Sequence, residues 1–577
     1  MHTQRTVYSS LLIPLSILTL LLATHCTGSV RHVGHRTQSI AATIDIQGWR
    51  SDIDFLLERI RSVHPNPWFR IPEEEFVGHA QQLKEDIPSL DTKEITVRIM
   101  QLVALLRDGH TLLPLGGNPS FTHWFPLRLD QFSDGVFITA IDNAYAKLVG
   151  AKVLRIGNLS ALEAFRRVAS ATSIDSCHSI PKEVPAYISN ATILKALKII
   201  DTGHSLPLEL QIHRTERVKI SIPSVEWRAN FGWARNRYHI PADSESVNVF
   251  SDKMDKLPLH LKNLLTKGDY YWFELLPDYT TLYVQFNSVN DAETETFHQF
   301  VERLWDYYDE HSEMIDKFVL DIRYNDGGNG YILQPLIHEF IKHEEISKRG
   351  SLYVITGRTT FSAAVRCLAQ IIEHTDAITV GEPTSGPLNW FSDTELFELP
   401  YSGLYLLVSQ YFWQKGHPSD ERGYCPPDFP VPVTSQDYFS GTDQALEAIL
   451  NDRVITLEDI LQNEGIGAFM AEYERRKERF VHCDWWFPYT EFELRSVGYD
   501  AFIAGKVDDA ISVAKLNTIH HPKSYKVWDD LAHIYRTRGD NKKAVECYRR
   551  SSDLNSGRVS TKYYLNELQG EADKAGK

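Results

Sequence analysis

Apolar residues at Ile53, Leu56, Leu57, Ile60 and Val63 share one face of a helix predicted over 52–63, and His64-Pro65-Asn66-Pro67 ends it. A second helix is marked more fully. Asp91 with Glu94 three residues on forms a capping-box pattern, the apolar run continues through Leu106, and Gly109 supplies a stop with His110 directly after it. From 125 to 223 the pattern turns strand-like, with GVFITAI and AKVLRIGNL separated by a short polar stretch containing Gly150. Residues 224–270 are aromatic and polar without clear periodicity and read as a connector. The clearest rhythm follows: strand LYVQFN at 282–287, a helix near 293–310, buried strand FVLDI at 318–322, and a helix at 331–342. Strand SLYVIT at 351–356, a helix at 363–375 and strand AITVG at 377–381 complete it. Strands alternating with helices predict an α/β core of parallel βαβ units with right-handed crossovers, so that the loops after each strand open on one edge of the sheet.

The C-terminal part repeats. Leu494, Val497, Gly498, Ala501, Gly505, Ala510, Ala514 and Pro522 align with Trp528, Leu531, Ala532, Tyr535, Gly539, Ala544, Tyr548 and Ser556 at a constant offset of 34. That period resembles tetratricopeptide repeats. The resemblance implies a short α-helical solenoid over 490–572, with a capping helix near 560–570, whose concave face takes a protein partner or packs against the rest of the chain. The other units expected are an N-terminal helical region at 45–115, a small β-rich domain at 120–223, the connector at 224–270 and the α/β core at 271–435.

Composition agrees with several folded units, because 577 residues exceed the roughly 250 to 300 that one core supports. With 43% hydrophobic and 24% charged residues, the chain is not of a disordered type. A formal charge of −16 and the lack of a basic stripe exclude nucleic acid as a partner. The first thirty residues stand apart: Arg5 precedes an apolar run at 11–23, and the small residues Cys26, Thr27 and Gly28 follow. A run this short predicts an export signal over 1–28 and an exported protein, whether periplasmic, in the cell envelope or secreted. Lipid attachment at Cys26 is the alternative and the only membrane link expected, although Ala23-Thr24-His25-Cys26 fits a lipoprotein box poorly. Cys177, Cys367, Cys425, Cys483 and Cys547 lack metal or disulfide spacing and read as isolated thiols.

Candidate chemistry centres on Ser362 in GRTTFSAA, between a strand ending at Thr356 and a helix starting near Ala363. There the hydroxyl meets the positive end of a helix and the following N–H groups face a developing oxyanion; a plain N-cap serine fits the same position. The loop from Arg323 through Asn325-Asp326-Gly327-Gly328-Asn329-Gly330 leaves the preceding strand, so an N–H of Gly327 or Gly328 can join that of Ala363 in an oxyanion hole. A phosphate-binding loop is excluded, since neither a Lys-Ser/Thr ending nor GxGxxG spacing is present.

LDIRYNDGGNGY, ITGRTTFSAA, TVGEPTSG and LLRDGHTLLP together resemble the tail-specific, or C-terminal processing, serine peptidases, whose relatives include the tricorn core protease and interphotoreceptor retinoid-binding protein. The resemblance covers roughly 50–435. It implies a ClpP/crotonase-like catalytic core, a PDZ-like character for the β-rich domain, Ser362 as nucleophile, and Ala363 with Gly327 or Gly328 as the oxyanion hole. Bacterial members pair serine with a lysine after GExTxG, but this chain has Pro387 there and no lysine between Lys348 and Lys415, which excludes that dyad. The tricorn-like branch uses a histidine from the N-terminal helical region, and His110 in DGHT is similar to it. His374 lies about 18 Å along the same helix as Ser362 at ~1.5 Å per residue, and His417 sits in an unplaced loop. By the same resemblance Glu421, six residues before Pro427-Asp428, is the third group, with the adjacent Asp420 as substitute. The implied reaction is hydrolysis of a peptide or protein through a Ser-His acyl-enzyme, with no cofactor and no metal. The alternatives are a non-catalytic peptide- or lipid-binding protein on the same fold, or an interaction scaffold in which the repeats are the working part.

Overall fold

The computed structural model describes residues 44–575 except 117, 119, 213–215, 227–245, 252–256, 267–269, 278–279, 419 and 480–489. The segment 1–28 expected to act as an export signal, with Cys26, much of the connector and Cys483 lie outside the described residues. The chain forms two compact units: one contains the residues up to Pro427 together with Val431–Asn451, the other Asp428–Pro430 and Asp452–Lys577.

The first unit opens with helices α1 (Ile46–Val63), α2 (Glu73–Asp86) and α3 (Thr92–Ala104). Asp45 caps α1 through its side chain, and Asp91 and Glu94 close the expected capping box on α3. α3 ends earlier than Gly109. The left-handed residue is Arg107, at φ 51°, while Gly109 has a different duty: a Cβ there would stand 2.7 Å from Oδ2 of Asp175. Glycine is thus needed at 109 for close approach, and not as a helix stop.

Strands β1 (Leu127–Phe132), β2 (Gly135–Asp142) and β3 (Lys152–Ile156) follow, then α4 (Ala161–Ala169), α5 (Ile180–Tyr187), β4 (Ser205–Gln211) and β5 (Arg217–Pro223). The strands pair antiparallel in the order β1-β2-β3-β4-β5. The alternation of β4, with Leu206, Leu208 and Leu210 buried, turns one face of this sheet onto a core shared with Ile53, Leu56, Ile95 and Ile99 of the helices.

The α/β core comprises β6 (Tyr271–Leu276), β7 (Thr281–Phe286), α6 (Phe297–His311), β8 (Lys317–Asp321), α7 (Gln334–Lys342), β9 (Leu352–Thr356), α8 (Ala363–His374) and β10 (Ile378–Gly381). The order is β6-β7-β8-β9-β10, with β6 antiparallel to β7 and the remaining neighbours parallel, as the alternating pattern predicts. β8, β9 and β10 are buried almost throughout because helices cover the sheet, which is why they read as unbroken apolar runs. A two-stranded hairpin, β11 (Asn389–Glu398) and β12 (Tyr405–Gln414), comes next. Its Leu399, Leu404, Leu406 and Val408 pack into the core of the N-terminal helices.

The second unit is helical: α9 (Leu457–Asn463), α10 (Ile466–Arg479), α11 (Glu491–Ile503), α12 (Val507–His520), α13 (Tyr525–Arg538), α14 (Asn541–Leu554) and α15 (Val559–Ala575). α11 and α13 begin 34 residues apart, as do α12 and α14, matching the sequence period. These helices share their own core around Tyr473, Val513, Leu531 and Tyr548. The described cysteines Cys177, Cys367, Cys425 and Cys547 are free thiols.

Candidate active site

Ser362 sits where β9 turns into α8. The turn is fastened to the end of β8: Thr360 Oγ1 donates to the Ile322 carbonyl at 2.9 Å, and the Phe361 N–H donates to the Asn325 carbonyl at 3.1 Å. Fixed at both sides, Ser362 takes φ 52° and ψ −123°, a region that a residue with a Cβ seldom enters. Its hydroxyl makes no capping bond to α8, so it is not the plain N-cap serine the sequence allowed. Instead Oγ lies 3.2 Å from Nε2 of His110.

His110 is held by its own backbone. Its N–H donates to Oδ1 of Asp108 at 3.0 Å. Asp108 is buried and its Oδ2 gathers Thr111 Oγ1 at 2.6 Å, Ser409 Oγ of β12 at 2.7 Å and His64 Nε2 at 3.2 Å. The backbone of Leu112 pairs with Leu407, which adds a bridge between this loop and the hairpin. The imidazole stacks on Phe361, centroids 4.6 Å apart at 18°, and the Lys182 ammonium stands 3.8 Å from the centre of that same ring. Lys182 is buried and paired with Asp326 at 2.5 Å and Glu183 at 3.1 Å.

These surroundings set the protonation states. Burial lowers the His110 pKa below the usual imidazole value, the Asp108 charge opposes this, and Lys182 reinforces it, so the ring is neutral near pH 7 and able to accept a proton. Burial pushes Asp108 up, but the His64 bond and the two imidazoles outweigh it and hold the carboxyl below its usual range. Asp175 goes the other way: burial and the charge of Asp108 raise it well above an ordinary carboxyl, against the N–H bond from Gly109. Asp175 Oδ2 and His110 Nδ1 are both buried without a hydrogen-bond partner.

The glycine loop closes the other side. Gly327 and Gly328 have φ of 101° and 138°, and a Cβ on Gly327 would lie 2.7 Å from Ser362 Cβ and 2.9 Å from the Ala363 nitrogen. Gly327 itself is not a free donor, since its N–H goes to Oδ1 of Asn325 at 3.0 Å. The N–H groups of Gly328 and Ala363 donate to nothing within the described residues. Of the two glycines the sequence left open, Gly328 is therefore the one able to work with Ala363.

The acidic partner expected at Glu421 is not met. Asp420 folds back on Arg422, with contacts of 2.8 and 2.6 Å, and Glu421 beside it is exposed to solvent. The largest charge effects on His110 come from Asp108, Lys182, Asp326 and Asp393. Sequence reasoning missed Asp108, His64 and Ser409 as the histidine's support. Asp108 was in view in the DGHT segment, but His64 and Ser409 meet it only through the fold. His374 lies at the far end of α8 and His417 in an exposed loop, while the nitrogen at the Ser362 hydroxyl is Nε2 of His110.

A cavity of about 110 Å³ lies elsewhere, lined by Arg128, Arg323, Arg358, Glu382 and Asp443 among others; Ser362 and His110 are not in its walls. Among the described residues no cluster of three metal-ligating side chains occurs, and no helix is long and apolar enough to cross a membrane.

No family model matches the chain, and no curated protein matches it. Solved structures similar to it include mature CPAF complexed with lactacystin, at 11% identity over 70% of this chain and 99% of that one, with a TM-score of 0.46. The photosystem II D1 C-terminal processing protease is 12% identical over 69% of this chain and 98% of its own, with a TM-score of 0.31. The tricorn protease is 12% identical over 71% of this chain and 36% of its own, with a TM-score of 0.33.

Proposed function

We propose that the chain is a serine-type peptidase that hydrolyses peptide bonds through an acyl-enzyme on Ser362. The observation that carries this reading is the 3.2 Å approach of His110 Nε2 to the Ser362 hydroxyl at a strained strand-to-helix turn. As Oγ adds to the carbonyl carbon, its proton passes to neutral His110. The carbonyl oxygen becomes an oxyanion received by the N–H groups of Ala363 and Gly328, at the positive end of α8. Collapse breaks the C–N bond, and His110 gives the proton to the leaving amine. Water then adds to the ester with His110 as base, and the second collapse releases the acid and returns the proton to Ser362.

Export directed by residues 1–28, and a protein partner on the C-terminal helices, complete the reading; the apolar run and the 34-residue period support them. The test is labelling with a fluorophosphonate alongside peptide turnover. Wild type should take the label and cleave, and Ser362→Ala should do neither. A well-folded wild type that takes no label and cleaves nothing would leave the fold as a binding platform.

A further inference from the structure

Beside the proposed nucleophile stands a cation, Arg366, that makes no ion pair among the described residues. Arg366 lies in the first turn of α8, four residues after Ser362, and its N–H donates to the Ser362 carbonyl at 3.2 Å. Its guanidinium is set between two rings, 5.4 Å from the centre of Tyr331 and 5.5 Å from that of Trp413, which meet edge to face with centroids 6.3 Å apart. Gly330 presses against its stem, where a Cβ would come within 3.0 Å of Arg366 Cδ. Three other arginines are answered by carboxylates: Arg323 by Asp321 and Asp443, Arg358 by Glu382, Arg422 by Asp420. Arg366 has no such ion pair within the described residues, and its Nε is buried without a hydrogen-bond partner. On the hairpin, Asp393 accepts the Trp413 indole N–H at 2.7 Å.

A partly desolvated guanidinium with only ring faces for company carries a cost that cation–π contact offsets in part and a carboxylate would offset more fully. Tyr331 is 72% exposed, so the rings form an open lip to this cation and not a sealed core. We propose that Arg366, framed by Tyr331 and Trp413, is a specificity subsite that takes a substrate carboxylate next to the scissile bond. This rests on the peptidase reading and adds the substrate class: peptides with an acidic side chain, or the free terminal carboxylate, at one position flanking the cut.

The test uses the full-length protein and fluorogenic peptides in which each flanking position carries Glu or its isostere Gln, with termini free or amidated. One position should show roughly a tenfold preference in kcat/KM for Glu over Gln, the scale of one charge-assisted hydrogen bond. In Arg366→Ala that ratio should fall to about one, and in Arg366→Glu it should turn toward Lys. A preference that disappears on amidation assigns the terminal carboxylate; one that survives assigns the side chain. Calorimetric binding of the same peptides to Ser362→Ala reads the subsite without turnover. Cleavage with equal rates for Glu and Gln at every position, and equal binding to Ser362→Ala, would overturn the subsite and leave the peptidase reading standing. Absence of cleavage and labelling in wild type would overturn the peptidase reading, and selective binding of the Glu peptide would then still support a carboxylate site.

Discussion

The protonation of His110 is the property on which the proposed chemistry turns, and burial decides it. An unperturbed imidazole titrates near ~6.5, and the buried ring lies below that. The acidic limb of kcat/KM, which reports the base in the free enzyme, should accordingly fall below pH ~6.5. An acid on Nδ1 would have moved it the other way. Ser362→Ala and His110→Ala should each lose on the order of 10³-fold or more in kcat, with little further loss in the double variant, because the two act as a unit. Pre-steady-state turnover of the three variants checks this, and near-normal rates in a folded His110→Ala would end the role assigned to His110. DGHT and GRTTFSAA made this pair legible in the sequence. Glu421 lies exposed beside the Asp420–Arg422 ion pair, and no motif spacing encodes that placement.

Among the elements, the clasp around Asp108 joins three parts of the chain: the end of α1, the loop after α3, and β12. It holds the histidine by the main chain and leaves the ring free to turn toward Ser362. Asp108→Asn should lower kcat by about 10²-fold, the scale of a displacement near 1 Å in a reacting group. Because the Asp108 charge raises the imidazole pKa, the same variant should shift the acidic limb to lower pH, which a merely looser fold would not do. Ser409→Ala keeps the charge and should lower kcat without moving the limb. If Asp108→Asn changes neither rate nor limb, the clasp does not position His110. The parallel strands of the core were readable because helices cover both faces and leave continuous apolar runs. The hairpin was not. Tyr411 and Phe412 stand 58% and 44% exposed, so apolar residues on the open side blur the alternation that marks a half-buried strand.

At the scale of the whole molecule, the C-terminal helices own a separate core, and no residue of the proposed chemistry belongs to it. A chain ending at Asn451 should cleave small peptides with kcat/KM within a few-fold of the full chain; a soluble, folded truncation with no turnover would contradict the division. Stability should also depend on pH through His178, which stacks on Tyr424 and is pushed by burial down to about 3. Between that value and ~6.5 the unfolded chain binds a proton that the folded one refuses, so stability is lost as pH falls below ~6.5. His178→Phe keeps a stacked ring without the charge. Denaturant unfolding at pH 7 and pH 5 should show wild type losing about 2 kcal/mol more than His178→Phe over that interval. Equal losses would mean that the imidazole charges freely in the fold.

Ser362 and His110 are separated by 252 positions in the chain, and the clasp on Asp108 needs Ser409 as well. A ribosome delivers these groups in order, histidine first, then serine, then the strand that steadies the histidine. Until residue 409 has emerged and the N-terminal helices have found the hairpin, the nucleophile has no base and the base has no fixed address. On the proposed peptidase reading, a chain still being made is therefore chemically silent, and hydrolytic competence arrives only with long-range closure of the fold.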